Sequence, residues 1–381
     1  MSWRSDIKVV VAIEFGAKYS GFAYVHRSNP ELVTNDRWPE QIGPLKTNTV
    51  LQYDEKYENV LEWGYPAFAK RPQRRGHKKN FSNEPVKLFN LHLSSMPDSE
   101  KPPLPKSLHY KKAITDYLRE IEYPIRSLRI LRECVYNAEL IRYFTSEKLQ
   151  FITELEAASM HCVQVLREYF GTSKESFLIA NCGDDTVDLI TRKFRFTDVL
   201  GEVTKQTGDS CCFNYVEKEF IKLLKHYMGD EAMKILEHSD QMQYVMKEFF
   251  KVTFSFSGNP QDFKLYEFDL EEVCPIIKSY VTGSYKEKLE KAEWTIELDF
   301  KTIKSLFDPA IERIIRLISG HLNKGDKYDI LFLIGDFSES RYLVKRIREE
   351  FADKMKGIVV PKQPKGVIVR GAAEYASQMF I

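Results

Sequence analysis

The apolar positions of the chain fall into short runs of two kinds. Residues 8–13, Lys8-Val9-Val10-Val11-Ala12-Ile13, are β-branched and apolar, the pattern of a buried strand. A turn over 14–18 and a second apolar run over 20–26 make the chain open with a hairpin. Residues 27–106 are rich in Pro, Lys and aromatic side chains and predict few elements. Helical spacing returns over 107–122 and 126–144. Residues 151–170 read as a short strand passing into a helix through Glu156-Ala157-Ala158, and the polar break at 171–175 marks an expected lobe boundary.

The pattern then restarts. Strands are expected over 176–180 and 186–194 with a turn between them, and a helix over 213–228. Residues 230–300 mix helices with acidic loops. A long helix is expected over 308–322, a strand over 329–334, a helix over 339–351, a strand over 357–360 and a terminal helix over 366–380. A strand, a Gly-containing turn and a second strand thus occur twice, once at the start of each half. Alternating strands and helices predict an α/β class.

Composition narrows the picture. The 381 residues exceed one ordinary core, and the 43% of hydrophobic residues can fill two. Lys+Arg (56) and Asp+Glu (55) nearly cancel, which argues against nucleic acid or an anionic membrane as partner. The basic run from Lys70 to Lys79 contains Pro and Gly and reads as a solvated loop, with a localisation signal or an anion-binding patch as the alternative. Six cysteines without CxxC spacing argue against zinc and suit a reducing compartment. The apolar run near the N-terminus is too short for a signal peptide or a membrane span, so a cytoplasmic location is expected.

Four segments carry a resemblance, in register along nearly the whole chain. They are Ala12-Ile13-Glu14-Phe15-Gly16-Ala17-Lys18-Tyr19-Ser20-Gly21, Ile179-Ala180-Asn181-Cys182-Gly183-Asp184-Asp185-Thr186-Val187-Asp188, Leu331-Phe332-Leu333-Ile334-Gly335-Asp336-Phe337-Ser338-Glu339-Ser340 and Arg370-Gly371-Ala372-Ala373. They resemble the first phosphate loop, second phosphate loop, adenosine loop and closing helix of the actin-like ATPase superfamily. Thr153-Glu154-Leu155-Glu156-Ala157-Ala158 resembles the helix that connects the two lobes. The wording Tyr19-Ser20-Gly21-Phe22-Ala23-Tyr24 and Phe337-Ser338-Glu339-Ser340 resembles the divergent, atypical branch of the 70-kDa heat-shock proteins. The resemblance implies a two-lobed, ribonuclease H-like α/β fold, with residues 1–170 as the first lobe and 171–381, closing helix included, as the second. The chain stops at the closing helix, so no peptide-binding domain is expected to follow.

The resemblance also implies ATP and Mg²⁺ as cofactors. Gly16, Ala17, Lys18, Tyr19, Gly183, Thr186, Gly208, Glu248, Lys251, Gly335 and Asp336 fall at its nucleotide-contacting positions, and Glu14 and Asp188 at carboxylates that hold a metal through water. Several positions depart from the family pattern. Glu14 is one methylene longer than the family's Asp, Ala17 and Lys18 replace two hydroxyl residues, and Asn181 replaces a carboxylate. Asp184 and Asp185 replace glycines that approach the phosphates. One unit-charge repulsion at about 4 Å and an effective dielectric near 20 is roughly 4 kcal/mol. The family's phosphate-reaching Lys falls on Asn90, with Lys87 nearby. One strand of the first lobe's sheet, expected before Arg132, is missing from the sequence pattern. Both cofactors are therefore conditional. The expected function is an ATP-binding, chaperone-like domain with weak or absent hydrolysis. The alternative is a pseudo-ATPase interaction module that has lost nucleotide, with a client or partner protein that the sequence does not identify.

Overall fold

A computed structural model describes residues 7–68, 83–94, 96–120, 130–146, 148–170, 176–183, 185–192, 204–209, 212–237, 239, 241–322 and 328–380. The basic run at 70–79, Asp184 and the expected boundary at 171–175 lie outside these residues. The fold is mixed α/β with several small sheets. It divides into two compact units, one comprising the chain to Gln164 together with residues from Gly366 on, the other Val165–Lys365.

The first unit is built on the opening hairpin. Strands β1 (Val9–Phe15) and β2 (Tyr19–His26) pair antiparallel, Val9 opposite His26 and Phe15 opposite Ser20. Strand β3 (Asn29–Thr34) continues the sheet beyond β2. Residues 27–106, expected to hold few elements, instead carry β3 and six more short strands. These are β4 (Arg37–Trp38), β5 (Gln41–Ile42), β6 (Thr47–Asn48), β7 (Val50–Tyr53), β8 (Val60–Trp63) and β9 (Val86–Lys87). Each of these six is at most four residues long, too short to show a period of two. Helix α1 (Tyr65–Phe68) follows β8, and α2 (Tyr110–Glu120) and α3 (Ile130–Asn137) pack on each other. Their core holds Leu51, Tyr53, Phe89, Ile114, Tyr117 and Leu118, all almost fully buried. The residues between α2 and α3, 121–129, where the first-lobe strand was expected to be missing, lie outside the described residues.

Residues 151–153 do not form the expected strand; they lead directly into helix α4 (Glu154–Phe170). Thr153 and Glu156 explain the start. Glu156 N donates to Thr153 Oγ1 at 3.2 Å and Thr153 N to Glu156 Oε2 at 3.1 Å, a reciprocal cap that satisfies two otherwise unpaired amides.

The C-terminal helix, Val367–Phe380, corrects the expected lobe division. It belongs to the first unit, where Val369 and Ala373 bury against Ala12, Ala23 and Val25 of the hairpin. Its small residues permit this. A Cβ on Gly371 would stand 1.7 Å from the Ala157 carbonyl oxygen of α4, so only glycine allows the two helices to cross there. His161 Nδ1 and Glu374 Oε1, 2.8 Å apart, add a polar link between the same helices.

The second unit contains a five-stranded sheet in the order β12-β11-β10-β15-β16. Strands β10 (Phe177–Cys182), β11 (Val187–Arg192) and β12 (Thr204–Asp209) form an antiparallel meander. Helices α5 (Phe213–Met228), α6 (Asp230–Glu237) and α7 (Gln241–Ser255) follow. Strand β13 (Tyr266–Asp269), the short helices α8 (Leu270–Val273) and α9 (Gly283–Lys291), and strand β14 (Thr295–Leu298) form a side layer. Helix α10 (Phe300–Leu322) leads to β15 (Ile330–Ile334), α11 (Arg341–Phe351) and β16 (Gly357–Val359). Strand β15 runs parallel to β10 and β16 parallel to β15, which the long helical crossover makes possible.

Helix α5 occupies the expected 213–228, and its buried face explains why: Phe213, Val216, Phe220, Leu224 and Met228 recur at helical spacing. Phe220 stacks on Phe249 of α7 with centroids 3.7 Å apart. Burying one such ring is worth about 2–3 kcal/mol. Helix α10 begins at Phe300, earlier than the expected 308. Asp299 Oδ1 accepts from Thr302 N at 2.7 Å and caps the earlier start, and Pro309 is carried inside the helix. Among the described residues no helix is long and apolar enough to cross a membrane.

Candidate functional site

The two Gly-containing hairpins close in the same way. Gly16 N donates to Tyr19 O at 3.0 Å, and Gly183 N donates to Thr186 O at 3.0 Å. The repeat seen in the sequence is therefore a repeat of local geometry.

In the first unit the hairpin carries Glu14, Gly16, Ala17, Lys18 and Tyr19, the last four half-buried. Thr49 clamps the turn from one side. Its amide donates to Lys18 O at 2.7 Å and its hydroxyl to Gly16 O at 2.9 Å. Ser20 Oγ lies 2.8 Å from the same hydroxyl, and Tyr117 holds the neighbouring strand by donating to Asn48 O at 2.9 Å. Burial raises the Tyr117 hydroxyl pKa, so it stays a neutral donor.

Glu14 sits where the turn begins, and its side chain is 8% exposed. Lys46, also 8% exposed, reaches it across the sheet with Nζ 2.7 Å from Oε1. Sequence reasoning missed Lys46. Its signal is a single charged residue in a stretch where Leu45, Thr47, Asn48, Thr49 and Val50 are all buried. A buried lysine is rare unless paired. The pairing bears on the implied metal. A hard divalent cation needs the free lone pairs of several oxygens. Here one oxygen of Glu14 already accepts a charge-assisted bond from an ammonium, so Lys46 competes with a metal-held water for this carboxylate.

Asn90 stands in a one-turn 3₁₀ segment, Phe89–Leu93, entered through Leu88 in the left-handed region (φ 56°). Its amide oxygen is buried and has no hydrogen-bond partner among the described residues. Lys87 lies over the Phe68 ring, 5.4 Å from its centroid.

In the second unit the sheet register assembles most of the remaining candidates. Asn181 of β10 pairs with Asp188 of β11, and Asp188 pairs with Gly208 of β12. On the other side Asn181 pairs with Ile334 of β15, and Gly335 follows. Gly208, Asp188, Asn181 and Ile334 thus form one row across four strands, and Gly335 follows just beyond β15. Gly183, Thr186 and Asp336 lie on the turns just beyond it. Gly335 has φ 89°, and a Cβ there would stand 2.5 Å from Cys182 O and 2.7 Å from Asn181 Oδ1. This glycine is required because the turn after β15 presses on the end of β10.

The acids of this row are engaged within the protein. Asp188 Oδ2 accepts from the Thr186 hydroxyl at 3.1 Å, and Asp185 Oδ1 accepts from Asn214 of α5 at 2.7 Å. The Cys212 thiol donates to Thr186 O at 3.0 Å and ties the start of α5 to the turn. Glu248 and Lys251 pair with each other on α7, Nζ lying 2.6 Å from Oε2. That hydrogen bond raises the Lys251 pKa. Lys251 is 61% exposed and Glu248 only 14%, so the ammonium is in solvent while the carboxylate is largely covered.

No protein-family model matches the chain, and no curated protein matches it.

Proposed function

We propose that this chain is an actin-like, 70-kDa heat-shock-type domain that binds ATP, has no need of Mg²⁺ at Glu14, and hydrolyses weakly or not at all. The observation that carries the reading is the row Gly208–Asp188–Asn181–Ile334, with Gly335 next after it, at one end of the second sheet. It lies at the carboxyl ends of the parallel strands β10 and β15, where open α/β sheets bind ligands. The order β12-β11-β10-β15-β16, antiparallel then parallel, agrees with a ribonuclease H-like lobe. The turns Gly183–Thr186 and Gly335–Asp336 bring backbone to that end, the Gly183 and Gly335 amides themselves donating to Thr186 O and Pro364 O at 3.0 Å. The buried free cysteines suit a cytoplasmic setting.

Loss of hydrolysis is supported by the fate of the charged groups. Glu14 is neutralised by Lys46, Asn181 carries no charge, and Asp188 is engaged by Thr186. Phosphoryl transfer depends on positioned metal and charge, and these residues supply little of either.

A second reading, a pseudo-ATPase interaction module without nucleotide, is favoured by one observation. Asp185, which would meet a phosphate, is already fixed by Asn214 of its own unit. Calorimetric titration with ATP, combined with a phosphate-release assay, separates the two. Binding at about 10 μM or tighter, near −7 kcal/mol, without phosphate release above background supports the first. No heat at millimolar ATP overturns it in favour of the second, and rapid release overturns both.

A further inference from the structure

The second unit has a cleft that borders the turn after β15, where Ser338 and Glu339 line it. It lies between α11 and the chain that follows β16, with a volume of about 560 Å³. Its floor is apolar: Val344 and Val360 are half-buried against the core, with Pro364 beside them. Its rim is cationic, from Arg341, Lys345 and Arg348 of α11. These positions recur along one helix face, and Arg341 and Arg348 stand seven residues apart, about 10.5 Å along the axis.

The charges of the rim differ in what they already hold. Glu339 is paired with Lys365 at 2.9 Å, and Glu349 lies 3.8 Å from Lys345. Lys345 also donates to Gly258 O at 2.9 Å. Arg341 and Arg348 are exposed, and among the described residues neither has a carboxylate partner. Two uncommitted guanidinium groups therefore flank an apolar floor. Guanidinium groups favour carboxylates and phosphates. The apolar floor between them favours a ligand that is aliphatic in its middle, which a bare phosphate is not.

We infer that this cleft binds an acidic segment of a partner protein, an aliphatic side chain resting on Val344 and Val360 and flanking carboxylates meeting Arg341 and Arg348. The test uses no nucleotide, so its outcome does not depend on the ATP reading. The probe is a fluorescein-labelled hexapeptide with two leucines between pairs of glutamates, titrated by anisotropy against the full chain at low salt. Saturable binding is expected. Arg341→Glu with Arg348→Glu should weaken it about tenfold or more. Both residues are exposed, so circular dichroism of that variant should match the parent. Replacing the leucines with serine should weaken binding several-fold. Absence of saturation, an unchanged affinity in the double variant, or equal binding of a peptide with lysines in place of the glutamates overturns the inference. Displacement of the peptide by micromolar tripolyphosphate also overturns it, because the cleft would then be a phosphate site.

Discussion

Removing Lys46 tests how far the buried ion pair shapes the first hairpin. With both side chains 8% exposed and a separation of 2.7 Å, the pair is shielded from solvent on both sides. At an effective dielectric near 20 the attraction is roughly 6 kcal/mol, most of it offset by the cost of burying the two charges. Deleting one partner leaves the other buried and unpaired, a loss of about 3–5 kcal/mol. Lys46→Met should therefore destabilise the first unit by about 4 kcal/mol, close to a thousandfold in its opening equilibrium. Adding Glu14→Gln should restore at least about 2 kcal/mol, because the stranded charge is gone. The chain has two units, so one global transition is a poor measure. Native-state hydrogen exchange at the amides of β1 and β2 reads the opening of the first unit directly. A cost below about 1 kcal/mol for Lys46→Met, the range of a surface pair, would refute the reasoning. So would a double variant as unstable as the sum of the two single ones.

Two further perturbations probe the fold. Gly371→Ala places a Cβ 1.7 Å from Ala157 O, so the C-terminal helix must shift off the hairpin, at a cost of about 3 kcal/mol; unchanged exchange over 367–380 would contradict this. Asp329 accepts from Ser176 N at 3.1 Å and pairs with Lys356 at 2.9 Å, and chiefly that Lys356 bond holds its carboxyl below the ordinary 3.8. A depressed carboxyl stabilises the fold above its unfolded value and loses that contribution as pH falls through the folded one. Asp329→Asn should thus lower stability at pH 7 and flatten the fall between about pH 5 and pH 2, read from urea midpoints at each pH; parallel curves would contradict it.

The sequence made some of this structure legible and hid the rest for physical reasons. Both hairpins were readable because their strands are buried, apolar and bounded by glycine turns. Helix 213–228 was readable because its apolar face repeats through four turns. The strands from β4 to β9 were not, since two to four residues cannot display alternation. The C-terminal helix was recognisable as a helix but not as a part of the first unit. Its partners, Ala12, Ala23 and Ala157, are more than two hundred residues away in sequence. At the site, the row of Asn181, Asp188, Gly208 and Ile334, with Gly335 next after it, follows from strand register, which motif spacing does not display. Lys46 was hidden because its partner lies across a strand pairing between β2 and β6 that no local pattern announces.

That ion pair leads to the most direct test of the account. If Lys46 stands where a divalent cation would otherwise neutralise Glu14, ATP binding should not depend on the metal. Calorimetric titration with ATP in EDTA and in millimolar Mg²⁺ should give affinities within about threefold of each other. Binding that requires Mg²⁺, or that tightens tenfold or more when it is added (about 1.4 kcal/mol), would contradict the account.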